Sequence, residues 1–246
     1  MAWKWRFELA ELWSREEFIF CLRAVLEEKY HHKHPFHVRM HQGALSADEL
    51  RGWILNRFCY QKHIPVKDAL ILSKLPTRED RRKWLQRIID HDGHQGDEGG
   101  IEAWLRLGEA AGLTREQLLD DANVLPGVRF AVDAYVNFCR LMPWRQAVAS
   151  SLTELFAPDL VGKRIGVIEQ YYPWVKREGL EYFRHRLEQA PRDAEHALEL
   201  VIKSARNRED QERAVAALRF KCDVLWALLD AVEHGYARQG AACPSH

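Results

Sequence analysis

The chain has 246 residues, enough to bury one sizeable core without a second domain, and 36 lysines and arginines balance 36 aspartates and glutamates. That balance gives no reason to expect a nucleic-acid or anionic-membrane partner, so any basic site must be local. Five scattered cysteines (Cys21, Cys59, Cys139, Cys222, Cys243) without a C-x-x-C pair argue against a disulfide framework or thiolate zinc site, and no apolar run reaches the roughly 18 residues of a membrane span.

Arg6, Glu8 and Glu11 make the amino terminus unlike a signal peptide, so a soluble protein of the reducing cytosol is expected. Helical spacing begins with Phe18, Cys21, Leu22, Val25 and Leu26, after a capping box of Ser14 and Glu17. His31, His32, His34, His37 and His41 then crowd one segment around Pro35. Spacing alone leaves metal binding open, but di-iron bundles want a Glu-x-x-His on two helices, and no such pair occurs. His32 and His34 read as a solvated turn, and His31, beside Tyr30, as the better pocket candidate.

Ser46 and Glu49 cap the next helix, whose stripe Leu50, Trp53, Ile54, Phe58 also carries Arg57 and Gln61. Lys67 lies at similar spacing from Tyr60, Ile64 and Ile71, with Pro65 able to bend the helix between them. Trp84, Arg87, Ile88 and His91 share a face, which places a guanidinium and an imidazole one turn apart. The glycine-rich stretch Asp92 to Gly100 lacks G-x-G-x-x-G spacing and a preceding strand, and reads as a mobile lid or a turn.

Thr114 and Gln117 form a third capping box; Pro126 and Pro173 suit first helical turns, while Pro158 and Pro191 mark connections. Val175, Gly179, Tyr182, Phe183 and Arg186 share a stripe, as do Leu218, Lys221, Cys222, Leu225 and Leu229. The tail after Gly235, with Gly240 and Pro244, lacks the pattern of a packed element and is expected to be mobile. Without alternating strand runs, a long linker or a fixed-period repeat, the chain predicts a single all-α domain over 1–246, a bundle of roughly six to eight helices.

Burying unpaired charge is costly, so inward-facing Arg57, Arg87, Arg186 and Lys221 imply partners inside the fold or an anionic ligand, and multiple carboxylates would suit them. Each cation taken singly also reads as a side chain snorkelling to the rim of its helix. Glu154 reads as either a core partner of one of these arginines or a catalytic carboxylate. No G-x-S-x-G elbow occurs and no cysteine adjoins a histidine, so nucleophilic hydrolysis has no visible support.

Longer runs carry a resemblance. Tyr30-His31-x-x-His34-Pro35, Asn56-Arg57-Phe58-x-Tyr60-Gln61, His91-Asp92-Gly93, Gly99-Gly100-Ile101-Glu102-Ala103-Trp104, Val124-Leu125-Pro126-Gly127-Val128-Arg129-Phe130 and Ser151-Leu152-Thr153-Glu154-Leu155-Phe156-Ala157-Pro158 resemble the pyrroloquinoline quinone synthases, from about Phe18 to Tyr236. The resemblance implies a compact seven-helix, haem-oxygenase-like bundle working as a homodimer. It would close a ring in a tricarboxylated quinone precursor and oxidise it with dioxygen to pyrroloquinoline quinone, releasing hydrogen peroxide without a metal, flavin or other cofactor. Carried onto this chain, His91, Tyr182 and Arg186 are the implied catalytic residues. Tyr30, His31, Arg57, Gln61, Lys67, Arg87, Tyr135, Glu154, Arg164 and Lys221 are the implied substrate-binding residues. In that family Tyr182 and Arg186 help to form a pocket for dioxygen.

One departure stands out: where the family usually places a histidine in the oxygen pocket, this chain has Val161, with His185 a conceivable substitute. Two other readings stay open. One is a metal-dependent oxidase of the same fold, disfavoured because Tyr182, Arg186 and Gln189 stand where its metal ligands would be. The other is a quinone-binding carrier with impaired turnover. Haem binding is the weakest reading, because it rests on fold analogy alone.

Overall fold

The computed structural model describes residues 11–237, and among them every regular element is helical. The α-helices are α1 (Arg15–Lys29), α2 (Pro35–His41), α3 (Ala47–Leu72), α4 (Arg78–Asp92), α5 (Gly99–Ala110), α6 (Arg115–Leu119), α7 (Pro126–Leu141), α8 (Trp144–Ala149), α9 (Ala157–Tyr171), α10 (Glu181–Ser204) and α11 (Arg208–Ala237). These eleven exceed the seven that the resemblance implies; without the short pieces α2, α6 and α8, eight remain, within the six to eight read from the sequence pattern. Tight 3-10 turns cover His31–Lys33, Asp121–Asn123, Ser150–Phe156 and Arg177–Leu180.

The predicted starts form as expected. Ser14, Ser46 and Thr114 each accept from the backbone N–H three residues on, and Glu17, Glu49 and Gln117 return the bond. Pro126 opens α7, where its missing N–H costs nothing. Three proline readings change. Pro158, read as a connection, lies in the first turn of α9. Pro173 lies in the turn between α9 and the Arg177–Leu180 segment, not in a helical first turn. Pro191, read as a connection, sits inside α10, where the Leu187 carbonyl loses its helical partner close to solvent. Tyr236 still belongs to α11; the rest of the expected tail, with Gly240 and Pro244, lies outside the described residues.

The long α3 is the central strut, packing on α4, α5, α7 and α11. Its outward turns bury Trp53 edge-on against Trp104 of α5, whose indole Nε1 donates to the Ile54 carbonyl at 3.0 Å. On the opposite side α10 packs on α9, α8, α5 and the Ser150–Phe156 turn, and α11 closes the bundle against α1, α3, α7 and α8. The glycine-rich stretch after α4 is a tight turn in which His94 and Asp97 exchange backbone bonds of 2.8 and 3.0 Å. Gly93 ends α4 at φ 86°, a left-handed conformation that glycine adopts without strain, and so fixes the end of the helix that carries His91. No helix among the described residues is long and apolar enough to cross a membrane.

Three helices meet at the fully buried Asn56. Its Nδ2 donates to the Gly52 carbonyl at 2.9 Å and to the Tyr236 hydroxyl at 3.2 Å, and its Oδ1 accepts from the Leu125 N–H at 2.9 Å. Replacing Asn56 by Leu orphans buried groups on α7 and α11, so Asn56→Leu is expected to lower unfolding free energy by about 2–4 kcal/mol. Urea denaturation followed by circular dichroism measures it; a loss below 1 kcal/mol would count against this junction.

Candidate active site

Between α3, α4, α5, α9, α10 and the Ser150–Phe156 turn lies a cavity of about 100 Å³. Tyr30, His31, Arg57, Gln61, Lys67, His91, Tyr135, Glu154, Arg164, Tyr182 and Arg186 line it, so the structure brings together eleven of the thirteen residues expected from the sequence. Arg87 and Lys221 stand one layer behind. Arg87, 2% exposed, reaches Glu154 with Nη1 at 2.7 Å and donates to the Asp193 carbonyl. Lys221 donates to the Tyr60 hydroxyl at 2.8 Å and lies 3.4 Å from the Tyr135 ring centroid.

The cations divide into two groups. In the first, Glu154 contacts both Arg87 and Arg186, the latter at 3.5 Å, while Asp193 faces Arg186 at 3.3 Å and Arg192 at 2.8 Å. Burial works against the Arg87 charge, but Glu154, Asp193 and Asp68 outweigh it and raise its pKa. Glu154 is thus a salt-bridge partner that also faces the cavity, which joins the two sequence readings. Lys67 belongs to this neutralised group through its neighbour Asp68, at 2.7 Å, and it also donates to Ser151 at 3.2 Å.

In the second group Arg57, Arg164 and Lys221 have no carboxylate within ion-pair distance among the described residues. Aromatic rings take that place: Arg57 lies 4.1 Å from the Tyr60 centroid, and Arg164 lies 5.3 Å from Trp53. Burial, then the nearby Arg57 charge, brings Arg164 down to about 10. Burial, then Arg57 and Lys67, holds the Lys221 amine well below the usual lysine range. Burial alone dominates at Tyr30, pushed up to about 12.

His91 presents a base. Its Nδ1 lies 2.9 Å from the Arg87 carbonyl, which can only accept, so Nδ1 carries the hydrogen and Nε2 keeps its lone pair. Burial, then Arg186, brings its pKa down to about 4. Across the cavity the Tyr182 hydroxyl donates to Gln61 Oε1 at 3.1 Å, and its ring meets Trp104 edge-on at 4.8 Å.

Several lining residues were not anticipated as site residues, among them Tyr60, Ser151 and Thr153. Val161 also lines the cavity and is 8% exposed. His185, considered as its substitute, is on the surface with Nε2 3.8 Å from Glu181, outside the cavity lining. His34 is also corrected: it is buried, not solvated, accepting from the Phe36 N–H and lying 3.0 Å from Asp230 as the cap of α2.

A profile described as the TENA/THI-4/PQQC family matches residues 22–231. The chain belongs to this family. Within the TENA/THI-4/PQQC family, a relative from Pseudomonas aeruginosa named "Pyrroloquinoline-quinone synthase" is 56% identical over 207 residues, covering 84% of this chain and 83% of the relative. One of the same name from Cronobacter sakazakii is 52% identical over 225 residues, covering 92% and 89%. A crystal structure of a TenA homolog from Pseudomonas syringae superposes with TM-score 0.67 at 16% identity, over 89% of this chain and 92% of that one. A domain of unknown function with a heme oxygenase-like fold from Shewanella denitrificans gives 0.67 at 17%, over 93% and 94%. At those identities the structures show the fold, which is all-α and haem-oxygenase-like.

The neutral His91 makes stability depend on pH. Its folded pKa of about 4 lies below the ordinary 6.5, so the unfolded chain takes up a proton first. Stability present above about pH 6.5 is lost as the pH falls towards 4, and from pH 7 to pH 5 His91 alone contributes a loss of about 2 kcal/mol. Urea midpoints at the two pH values, compared with His91→Gln, read that share; equal pH dependence in both proteins would show that His91 is not held neutral.

Proposed function

We propose that this protein is an enzyme of pyrroloquinoline quinone biosynthesis that closes a ring in a tricarboxylated quinone precursor and oxidises it with dioxygen. The observation that carries the proposal is the second group of cations, Arg57 and Arg164 on the cavity with Lys221 behind it, in a chain 56% identical over 207 residues to a relative named "Pyrroloquinoline-quinone synthase". Ligand carboxylates supply the negative charge that this part of the fold lacks.

In this reading Arg57 and Arg164 hold carboxylates, helped by Lys67, while Tyr30, His31, Gln61 and Tyr135 orient the ring system. His91 Nε2 takes a proton from a ring carbon as the ring becomes aromatic. A bound polyanion offsets the Arg186 and Lys67 fields that weaken this base, so His91 becomes more basic when it is needed. Each oxidation passes two electrons and two protons from substrate to dioxygen, which leaves as hydrogen peroxide. Arg186, with Tyr182 beside it, stabilises negative charge on the reduced oxygen. The substrate supplies the electrons, and the proposal includes no metal or flavin. The donor set supports this, since Arg57, Lys67, Arg164 and Arg186 line the cavity and no group of three or more metal-ligating side chains occurs among the described residues. A homodimer is part of the proposal, as the resemblance implies. The cytosolic setting is supported by the free thiols of Cys21, Cys59, Cys139 and Cys222.

Val161 favours a second reading, a quinone carrier with slow turnover, because valine offers no hydrogen bond to reduced oxygen. One experiment separates the two. Purified protein of measured iron content is mixed with the precursor in air and without air, and quinone absorbance and peroxide are followed. The oxidase gives both products in air alone and without stoichiometric iron; binding without turnover identifies the carrier. Val161→His is expected to accelerate peroxide formation at least about tenfold, and an unchanged rate would remove Val161 from the oxygen chemistry.

The uncompensated cations also oppose stability to function. Arg164→Met is expected to stabilise the ligand-free protein by about 1–2 kcal/mol and to weaken binding of the tricarboxylated quinone more than about tenfold. Paired thermal melts and binding titrations check it, and a less stable variant would contradict it.

A further inference from the structure

Behind the cavity wall runs a row of imidazoles for which the chemistry above has no full use. His31 lines the cavity, and His37 and His41 stand on successive turns of α2. The His31 and His37 ring centroids are 4.8 Å apart, and the His37 and His41 rings are parallel at 6.5 Å. His31 and His37 are 6% and 2% exposed, while His41 is half-buried, so the row begins in the cavity and ends near the surface.

The hydrogen positions follow from one contact. His37 Nδ1 lies 3.0 Å from the His31 carbonyl, so Nδ1 bears the hydrogen and Nε2 a lone pair. That buried Nε2 has no protein partner, and neither have Nδ1 of His31, Nδ1 of His32 and Nε2 of His41. Arg164 Nε is a further buried orphan, and Arg164 lies against the same Trp53 ring that His37 meets, at 5.3 and 6.0 Å. So many unmatched nitrogens in one region call for ordered water, which satisfies buried polar atoms that the protein leaves unpaired. Water there could accept from Arg164 Nε and donate to His37 Nε2. Arg164 and Lys163 from α9 and Arg57 from α3 make the region unfavourable for a metal cation, and no metal-holding group of side chains occurs among the described residues.

We propose that His31, His37 and His41, with the waters between them, form a proton route from the cavity to solvent. His37 Nε2 takes a proton from the water on the cavity side and returns one from the same atom to the water towards His41. Its Nδ1–H stays on the His31 carbonyl throughout. Only N–H and O–H bonds are exchanged, and no electron changes hands. Burial, then Arg164, holds His37 and His41 below the usual histidine range, the latter at about 4, with His32, Lys163 and Arg57 adding to the effect. The resting imidazoles are therefore neutral, with lone pairs available to accept a proton only in transit. In the oxidase this route would clear protons released from ring carbons; that use rests on the proposed function, whereas the route itself does not.

The test begins with ligand-free protein. Nitrogen NMR of isotope-labelled histidine measures exchange of the His31 ring proton with water in wild type and in His37→Asn. Asparagine keeps a donor where Nδ1 was and removes the Nε2 lone pair. Exchange at least about tenfold slower in the variant is expected, and equal exchange rates overturn the route. If His37→Asn fails to fold, His41→Phe carries the same expectation. With precursor in air, His37→Asn should turn over more slowly with KM unchanged, and added imidazole should restore the rate. A wild type that makes no quinone would remove the oxidase reading, while the exchange measurement still decides the route.

Discussion

One carboxylate on the cavity wall, Glu154, joins Arg186 beside it to Arg87 behind it, while Arg57, Arg164 and Lys221 nearby have aromatic faces for company. The uneven distribution of negative charge organises the rest. Where carboxylates are present, the arginines are fixed: Arg87 is locked by Glu154 and Asp193, and its backbone carbonyl in turn orients His91. Burial first, and the neighbouring cations second, keep the His31, His37 and His91 imidazoles neutral, and where carboxylates are missing the cavity is left receptive to a polyanion. The imbalance thus sets the class of ligand, while burial sets the state of the base.

Two helices deliver five of the eleven expected residues that line the cavity. Arg57 and Gln61 lie one turn apart on α3 with Lys67 nearly two turns further on, past Pro65, and Tyr182 and Arg186 lie one turn apart on α10. The Tyr182–Gln61 bond ties the two helices together across the cavity. Because α3 packs on four neighbours, its polar side chains are placed by a rigid element, which favours accurate positioning over adaptability.

Much of this could be read from the sequence, for identifiable reasons. Capping boxes are local, and three of them appear where they were placed. Charged residues on apolar stripes are anomalies, so Arg57, Arg186 and His91 stood out. Tyr60, Ser151 and Thr153 did not, because a tyrosine on a stripe and small hydroxyls in a turn break no rule. Asp68 was overlooked as the partner of Lys67 because adjacent residues on a helix ordinarily diverge. Arg87 and Lys221 faced inward as expected, but periodicity gives direction without depth, and both stop behind the lining. Pro191 was misplaced because tertiary packing outweighed its tendency to end a helix.

The pairing of Arg57 and Arg164 without counterions also bears on how the protein behaves at the bench. A cavity of this polarity is an anion trap with little means of telling a quinone carboxylate from a citrate or phosphate ion on charge alone. Buffer anions carried through purification would compete for the same guanidinium groups, depress apparent affinity and raise the melting temperature by mass action. Preparations in zwitterionic buffer and in citrate should therefore behave as different samples, and comparisons between homologues require a common counterion history.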